Sequence, residues 1–328
     1  MTGLDEAVYL GGYLSLISSF LSRSDVSDIH INRPGELWLE VNGREPERHL
    51  VPQLTQETLF RIARQIAALS AQGISREHPI LAASLPTGER VQIVIPPATR
   101  SQIAMSIRRQ VVSSLDLTKL KPWESGGGDV RFSSKFSGEI DGKRLEKIIR
   151  AAVLGRKTIL ISGGTSSGKT TLVNTMMNIV PAHERLIVIE DVPEIGIPHE
   201  NSVGLIAHRS ELRESHIDTN DLLVAALRMR PDRIILGEIR GHEAVSFLRA
   251  VNTGHPGSIS TIHANSCEGA IDQLAFLAMQ GGLKLGLSDI RKYIESAIDL
   301  SINLTRIRGQ VYFTLMETGS HVDSGVIV

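Results

Sequence analysis

Apolar positions along the chain follow two different patterns, and the change between them divides it. Near the start, Leu10, Leu14, Ile17 and Leu21 recur at i, i+4, i+7 and i+11, the spacing of one helical face. Short extended runs follow at Asp28–Asn32 and Glu36–Val41, then a helix over Gln56–Ala71, then extended runs at Arg90–Ile95 and Ile103–Ile107. Pro34-Gly35 and Asn42-Gly43 carry turn chemistry beside the first strands. From Lys143 onward helices and strands alternate: helix Leu145–Leu154, strand Thr158–Ile161, helix Thr170–Val180, strand Leu186–Ile189, helix Asp221–Met229, strand Arg233–Leu236, helix Glu243–Asn252, strand Ser258–Ile262. That alternation predicts an α/β unit whose mostly parallel sheet is covered on both faces. Between Ser113 and Gly142 the apolar period weakens and Gly126-Gly127-Gly128 appears. The expected organisation is therefore a smaller α+β domain over residues 1–112, a linker over 113–142 and the α/β domain over 143–328. No element is assigned beyond Ile262.

Composition narrows the class. With 41% apolar residues, each domain can bury a core without disulfide or metal staples. The 35 basic and 36 acidic side chains nearly cancel, so nothing points to a protein that coats nucleic acid through overall charge. A single cysteine, Cys267, can form neither an intramolecular disulfide nor a thiolate zinc site, which leaves a reducing compartment or a cysteine-poor protein, with the cytoplasm the expected location. The uncharged run Ala7–Leu21 follows Asp5 and Glu6 and is broken by glycines and serines, which suits neither a signal peptide nor a spanning helix.

The chemistry concentrates at predicted strand ends. Gly163-Gly164-Thr165-Ser166-Ser167-Gly168-Lys169-Thr170 fits the phosphate-binding pattern GxxxxGK[ST] between a strand and a helix, and Thr171 extends the expected nucleotide-binding segment. Backbone N–H groups and the helix N-terminus would cradle phosphates, Lys169 would neutralise them, and Thr170 would ligate Mg²⁺. On an exposed loop, Lys169 is expected to pack on nothing while no nucleotide is bound. Ile234-Ile235-Leu236-Gly237-Glu238 is an apolar strand ending in a carboxylate, and Glu238 is the expected base for hydrolysis. Glu190 and Asp191 end another strand, with Glu194 shortly after. These acids are candidates to hold Mg²⁺ or place water, so Thr170, Glu190 and Glu238 form the expected metal set. His263 follows a third strand and could reach the γ phosphate, whereas His255 reads as a loop residue. The i, i+4 histidine pairs of helical zinc sites are absent.

Taken in order, these segments resemble the secretion-superfamily ATPases, with their Walker A loop, Asp box, Walker B strand and His box. Gly237-Glu238-Ile239-Arg240-Gly241 followed by Asn252-Thr253-Gly254-His255-Pro256-Gly257 is most similar to the VirB-eleven-type traffic ATPases of type IV secretion systems. The strong match spans about residues 143–270. The pattern Gly88-Glu89-Arg90-Val91-Gln92-Ile93-Val94 with Ser106-Ile107-Arg108 carries it more weakly into the amino-terminal domain. The resemblance implies a RecA-like P-loop domain, ATP and Mg²⁺ as cofactors, and a homohexamer of two stacked rings with nucleotide between the domains. It also implies Arg90 and Arg108 on the phosphates, and inner-membrane components of a secretion system as partners, compatible with peripheral membrane contact. Arg228, Arg230 and Arg240 fall within the matched segment without distinction. The four-cysteine zinc module of many type II secretion ATPases is excluded by the lone Cys267, and Ser320–Val328 matches nothing in the family. A ring-shaped nucleic-acid motor or a conjugation or pilus ATPase is the alternative. Only 4% of residues are aromatic, which argues against a stacking platform for single strands, and sequence-specific nucleic-acid binding is not expected.

Overall fold

The computed structural model of the chain describes residues 12, 14–41, 44–70, 72–85, 87–109, 115–123, 140–207, 217–307 and 309–318. They fall into two compact units, residues 12–109 and residues 115–318. Leu10, Asn42-Gly43, Gly126-Gly127-Gly128 and Ser320–Val328 lie outside the described residues.

In the first unit, β1 (Val26–Ile31), β2 (Glu36–Val41), β3 (Glu47–Leu50), β4 (Ile80–Ser84), β5 (Arg90–Val94) and β6 (Ala104–Arg108) form one antiparallel sheet in the order β3-β2-β1-β6-β5-β4. Alternate strand residues, among them Ile29, Leu39, Val91, Ile93 and Ile107, meet Ile17 of a helix over residues 14–21 (α1) and Leu59, Ile62 and Ile66 of α2 (Gln56–Leu69) in one core. α2 begins at Thr55, whose hydroxyl accepts the N–H of Thr58, satisfying one of the donors a helix start leaves open. The strands without a sequence signal, β3 and β4, are the two edges of the sheet. They carry exposed Leu50 and Ile80, so their apolar residues do not mark one inward face.

The second unit holds β7 (Lys121–Pro122), β8 (Ile159–Gly163), β9 (Leu186–Glu190), β10 (Ser202–Ile206), β11 (Arg233–Ile239), β12 (Ile259–Ile262), β13 (Leu300–Ile307) and β14 (Gln310–Glu317). Their order is β10-β9-β11-β12-β8-β13-β14-β7, parallel throughout except for the β13-β14 hairpin. Both faces are covered, as the pattern predicts. Ile159, Ile161, Leu186, Val188 and Ile235 pack with α3 (Gly142–Leu154) and α4 (Lys169–Met177). Leu160, Ile187, Ile189, Ile234 and Leu236 pack with α5 (Thr219–Leu227), α6 (Glu243–Asn252), α7 (Cys267–Gln280) and α8 (Leu287–Ala297). Burial on both faces is why these strands read as continuous apolar runs. α7, α8, β13 and β14, past the last assigned element, extend the same architecture. In β13 the buried polar residues Ser301 and Asn303 hide the strand from a purely apolar pattern.

Parts of the segment expected as a linker are built into this second unit. Leu117, Leu120 and Ile140 are buried in the core beside α3, and Gly142 lies so close to the turn at Leu117–Lys119 that a Cβ there would sit 2.4 Å from the Thr118 carbonyl oxygen.

A buried ion pair ties the amino-terminal edge of β11 to its surroundings. Arg233, fully buried, donates from Nε and Nη2 to the two carboxylate oxygens of Glu184 at 2.6 and 2.8 Å, and from Nη1 to the Val153 carbonyl at 2.8 Å. The positive φ of Gly257 is matched by the lack of room there, since a Cβ would lie 2.7 Å from Arg233 Nη1. Hydrogen bonding from Arg233 holds the Glu184 carboxyl below the ordinary range. The pair's contribution is therefore complete at neutral pH and lost as pH falls through that lowered value. Glu184→Gln should leave a buried guanidinium uncompensated and cost about 3–5 kcal/mol. Urea unfolding at pH 7 measures this, and an unchanged midpoint would contradict it.

Candidate active site

Four parallel strands bring the sequence candidates to one edge. β8 ends at Gly163, β9 at Glu190, β11 carries Glu238, and β12 is followed at once by His263, so all emerge at carboxyl ends, where open α/β sheets bind ligands. The loop after β8 turns through left-handed Ser166 and Gly168, with φ of 59° and 106°, before α4 starts at Lys169. Gly168 at the cap has no side chain to satisfy the first-turn N–H groups, which leaves them for an anion. Thr165 and Ser166 are exposed, Ser167 is buried with no hydrogen-bond partner for its Oγ among the described residues, and Thr171 sits half-buried in the first turn of α4. An orphaned hydroxyl, open N–H groups and a lysine in one turn fit a phosphate.

Lys169 is not without partners. Its Nζ donates to the carbonyl oxygens of Gly163 and Gly164 at 2.8 and 2.9 Å, so the ammonium braces the loop from inside. Burial lowers its pKa, with Glu238 pulling the other way.

The acids divide their work differently from the sequence expectation. Glu190 is buried, and its Oε1 accepts the N–H groups of Glu194 and Ile195 at 2.7 and 2.9 Å. It therefore shapes the loop after β9, and the acid that reaches Thr170 is Glu194, whose Oε2 accepts the Thr170 hydroxyl at 3.0 Å. Asn174, one turn beyond Thr170 on α4, holds the same loop from the other side by accepting the N–H of Gly196 at 2.8 Å. The i+4 spacing of Thr170 and Asn174 was legible in the sequence. The contact with residue 196 was not, because it depends on the path of the loop.

Around Glu238 the charges pair. Arg240 donates to Glu238 Oε2 and also to Asp191 Oδ2, the latter at 3.0 Å, and His263 Nε2 stands 2.9 Å from Glu238 Oε1. Of the three arginines sequence could not separate, Arg240 is the one at these acids. His255 bonds the Ala250 carbonyl at 3.2 Å, in keeping with a loop role. In the first unit Arg90 and Arg108 are direct partners across β5 and β6, and Arg108 Nε lies 3.5 Å from Asp28 Oδ1.

The oxygen donors of Thr170, Glu194 and Glu238 suit a hard cation. Among the described residues no three His, Cys, Asp or Glu side chains form a metal cage of their own. Among those residues no helix is long and apolar enough to cross a membrane.

The loop's shape makes a sharp contrast between neighbouring glycines. At Gly163, with φ 153°, a Cβ would lie 2.4 Å from Ser167 Oγ and 2.5 Å from the Leu304 carbonyl oxygen, whereas a Cβ at Gly164 would meet none of the described residues within 4 Å. Gly163→Ala should cost on the order of 1–3 kcal/mol through this overpacking, and Gly164→Ala should leave the nucleotide-free protein as stable as the parent. Paired urea titrations test it, and equal effects at the two positions would contradict the loop geometry.

Known proteins resemble the chain along most of its length. The family model described as "Type II/IV secretion system protein" matches residues 14–310. The chain is 36% identical over 323 residues to the type IV secretion system protein VirB11 of Bartonella quintana, covering 92% of this chain and 90% of that protein. It is 38% identical over 318 residues to the type IV secretion system protein PtlH of Bordetella pertussis, covering 93% of each. The solved pilus retraction motor PilT with bound ADP shares the fold, with a TM-score of 0.63 at 20% identity over 95% of this chain and 84% of that one. This chain belongs to the type II/IV secretion system protein family, on its VirB11-like branch, and is a P-loop ATPase.

Proposed function

We propose that the protein hydrolyses ATP with Mg²⁺ to power a type IV secretion system, moving protein or DNA or assembling a pilus. The observation that carries this reading is the convergence of the P-loop, Glu238, His263 and the Glu194 loop at adjacent strand ends. The two compact units act as separate domains, divided between residues 109 and 115. The α4 N-terminus and the loop N–H groups bind the phosphates, and Lys169 exchanges its two loop carbonyls for phosphate oxygens. Thr170 would hold Mg²⁺, with Glu194 and Glu238 as the further oxygen donors and Glu190 acting through the loop it bonds. When bound, Mg²⁺ spreads the charge that develops on the phosphates. Glu238 orients and deprotonates the attacking water, His263 responds to the γ phosphate, and Arg90 and Arg108 serve phosphate recognition. The working form is a homohexamer in the cytoplasm, partnered by inner-membrane components of the secretion system through peripheral contact. A helicase-like reading draws little support from an aromatic content of 4% and a near-neutral charge.

Lys169→Ala should abolish hydrolysis in a folded protein, as read by phosphate release and circular dichroism. Normal turnover by that variant would remove the site assignment. Glu238→Gln should keep nucleotide binding while lowering kcat by roughly 10²-fold or more, the scale of a lost general base. Loss of binding together with turnover would instead make Glu238 a ligand or a structural residue.

A further inference from the structure

The strand that carries Glu238 is one residue too long for its neighbour. β11 and β12 pair Leu236 with Ser260 and Ile239 with Ile262, so three steps along β11 match two along β12. The cores record the same insertion. Ile234 and Leu236 lie in one core, and strict alternation would send Ile239 to the opposite face, yet Ile239 is buried in the same core as Leu236. The extra residue falls at Gly237-Glu238. A bulge of this kind bends the strand and re-aims a side chain, but it also takes backbone carbonyls out of the regular ladder in a buried setting, where each must find another donor.

Two hydroxyls supply those donors. Ser260, fully buried, donates to the Leu236 carbonyl at 2.9 Å, and Thr261, nearly so, donates to the Gly237 carbonyl at 2.7 Å. As consecutive residues of β12 they project to opposite faces of the sheet, so the irregular backbone is clasped from both sides. Gly237 allows the close path, since a Cβ there would lie 3.2 Å from Glu190 Cγ and 3.3 Å from the Ile189 carbonyl oxygen. The carbonyl bound by Thr261 belongs to the residue immediately before Glu238.

We propose that Ser260 and Thr261 are positioning residues that fix the β11 bulge and thereby aim the Glu238 carboxylate, with Thr261 the dominant of the two. This rests on the reading of Glu238 as the base. It gives the Ser-Thr pair of the His box a task of its own: the histidine follows the strand, and the hydroxyls within the strand set the neighbouring acid.

Thr261→Val keeps the shape and removes the donor. It should lower kcat about 10- to 100-fold, the effect of a catalytic group displaced by up to an ångström, with KM and binding of a fluorescent ATP analogue within about twofold of the parent, as for an interaction made only in the transition state. Thr261→Ser, which retains the hydroxyl, should restore kcat. In a Glu238→Gln background, Thr261→Val should lower kcat no further. Thr261→Ala provides the same test without the added methyl if the valine variant does not fold. A folded Thr261→Val or Thr261→Ala protein with parental kcat would overturn the proposal, and so would a further loss in the Glu238→Gln background or failure of Thr261→Ser to rescue. Parental turnover by Glu238→Gln itself would instead remove the base assignment, so the two failures are distinguishable.

Discussion

The register of β8, β12, β11 and β9 sets where every polar group of the site emerges. Ile159, Ile259, Ile235 and Val188 lie level across the four strands, and burial on both faces forbids a slip, because moving a strand by one residue would exchange its two cores. With the apolar layers fixed, chain lengths beyond them decide how far each strand end reaches. β8 stops at Gly163 and turns into the P-loop, while β11 runs on through its extra residue to Glu238. The site is thus a consequence of core packing, and its polar residues occupy only the last positions of strands that hydrophobic burial holds in line.

Buried polar side chains complete what burial alone cannot specify. Asn303 of β13 donates to Ser162 Oγ at 2.9 Å and to the Ala264 carbonyl at 3.2 Å, so the strand before the P-loop and the chain just after His263 share one amide. Asn174 and Glu190 hold the Glu194 loop between them in the same manner. Each such bond adds only about 1 kcal/mol net, yet leaving a buried partner unpaired costs more. These groups therefore favour one arrangement of loops over others that would bury as much apolar surface.

The phosphate loop, the Walker B strand, the alternation of helices and strands in the second unit and the α+β character of the first were legible because each has a local signature: a glycine pattern, a run of apolar residues, a change of apolar period. The edge strands β3, β4 and β10 bury few residues and left no such trace. β13 was hidden by Ser301 and Asn303, and the burial of Asn303 makes sense only once Ser162 and Ala264 are seen to be its partners. The different contacts of Glu190 and Glu194 were illegible for a related reason. Both are acids near a strand end, and only the folding back of residues 194 and 195 onto Glu190 separates the one that shapes the loop from the one that meets Thr170.

Lys169 and the groups around Glu238 already have protein partners. Lys169 rests on two carbonyls, Arg240 lies between Glu238 and Asp191, and His263 flanks Glu238. A triphosphate entering this array brings anions that compete with carbonyls for Lys169 and with carboxylates for Arg240. A ligand shifts such an arrangement only by binding its alternatives unequally, and the γ phosphate is the part that distinguishes ATP from ADP. Because Arg240 and His263 both contact Glu238, any ligand that draws on either of them also acts on that carboxylate.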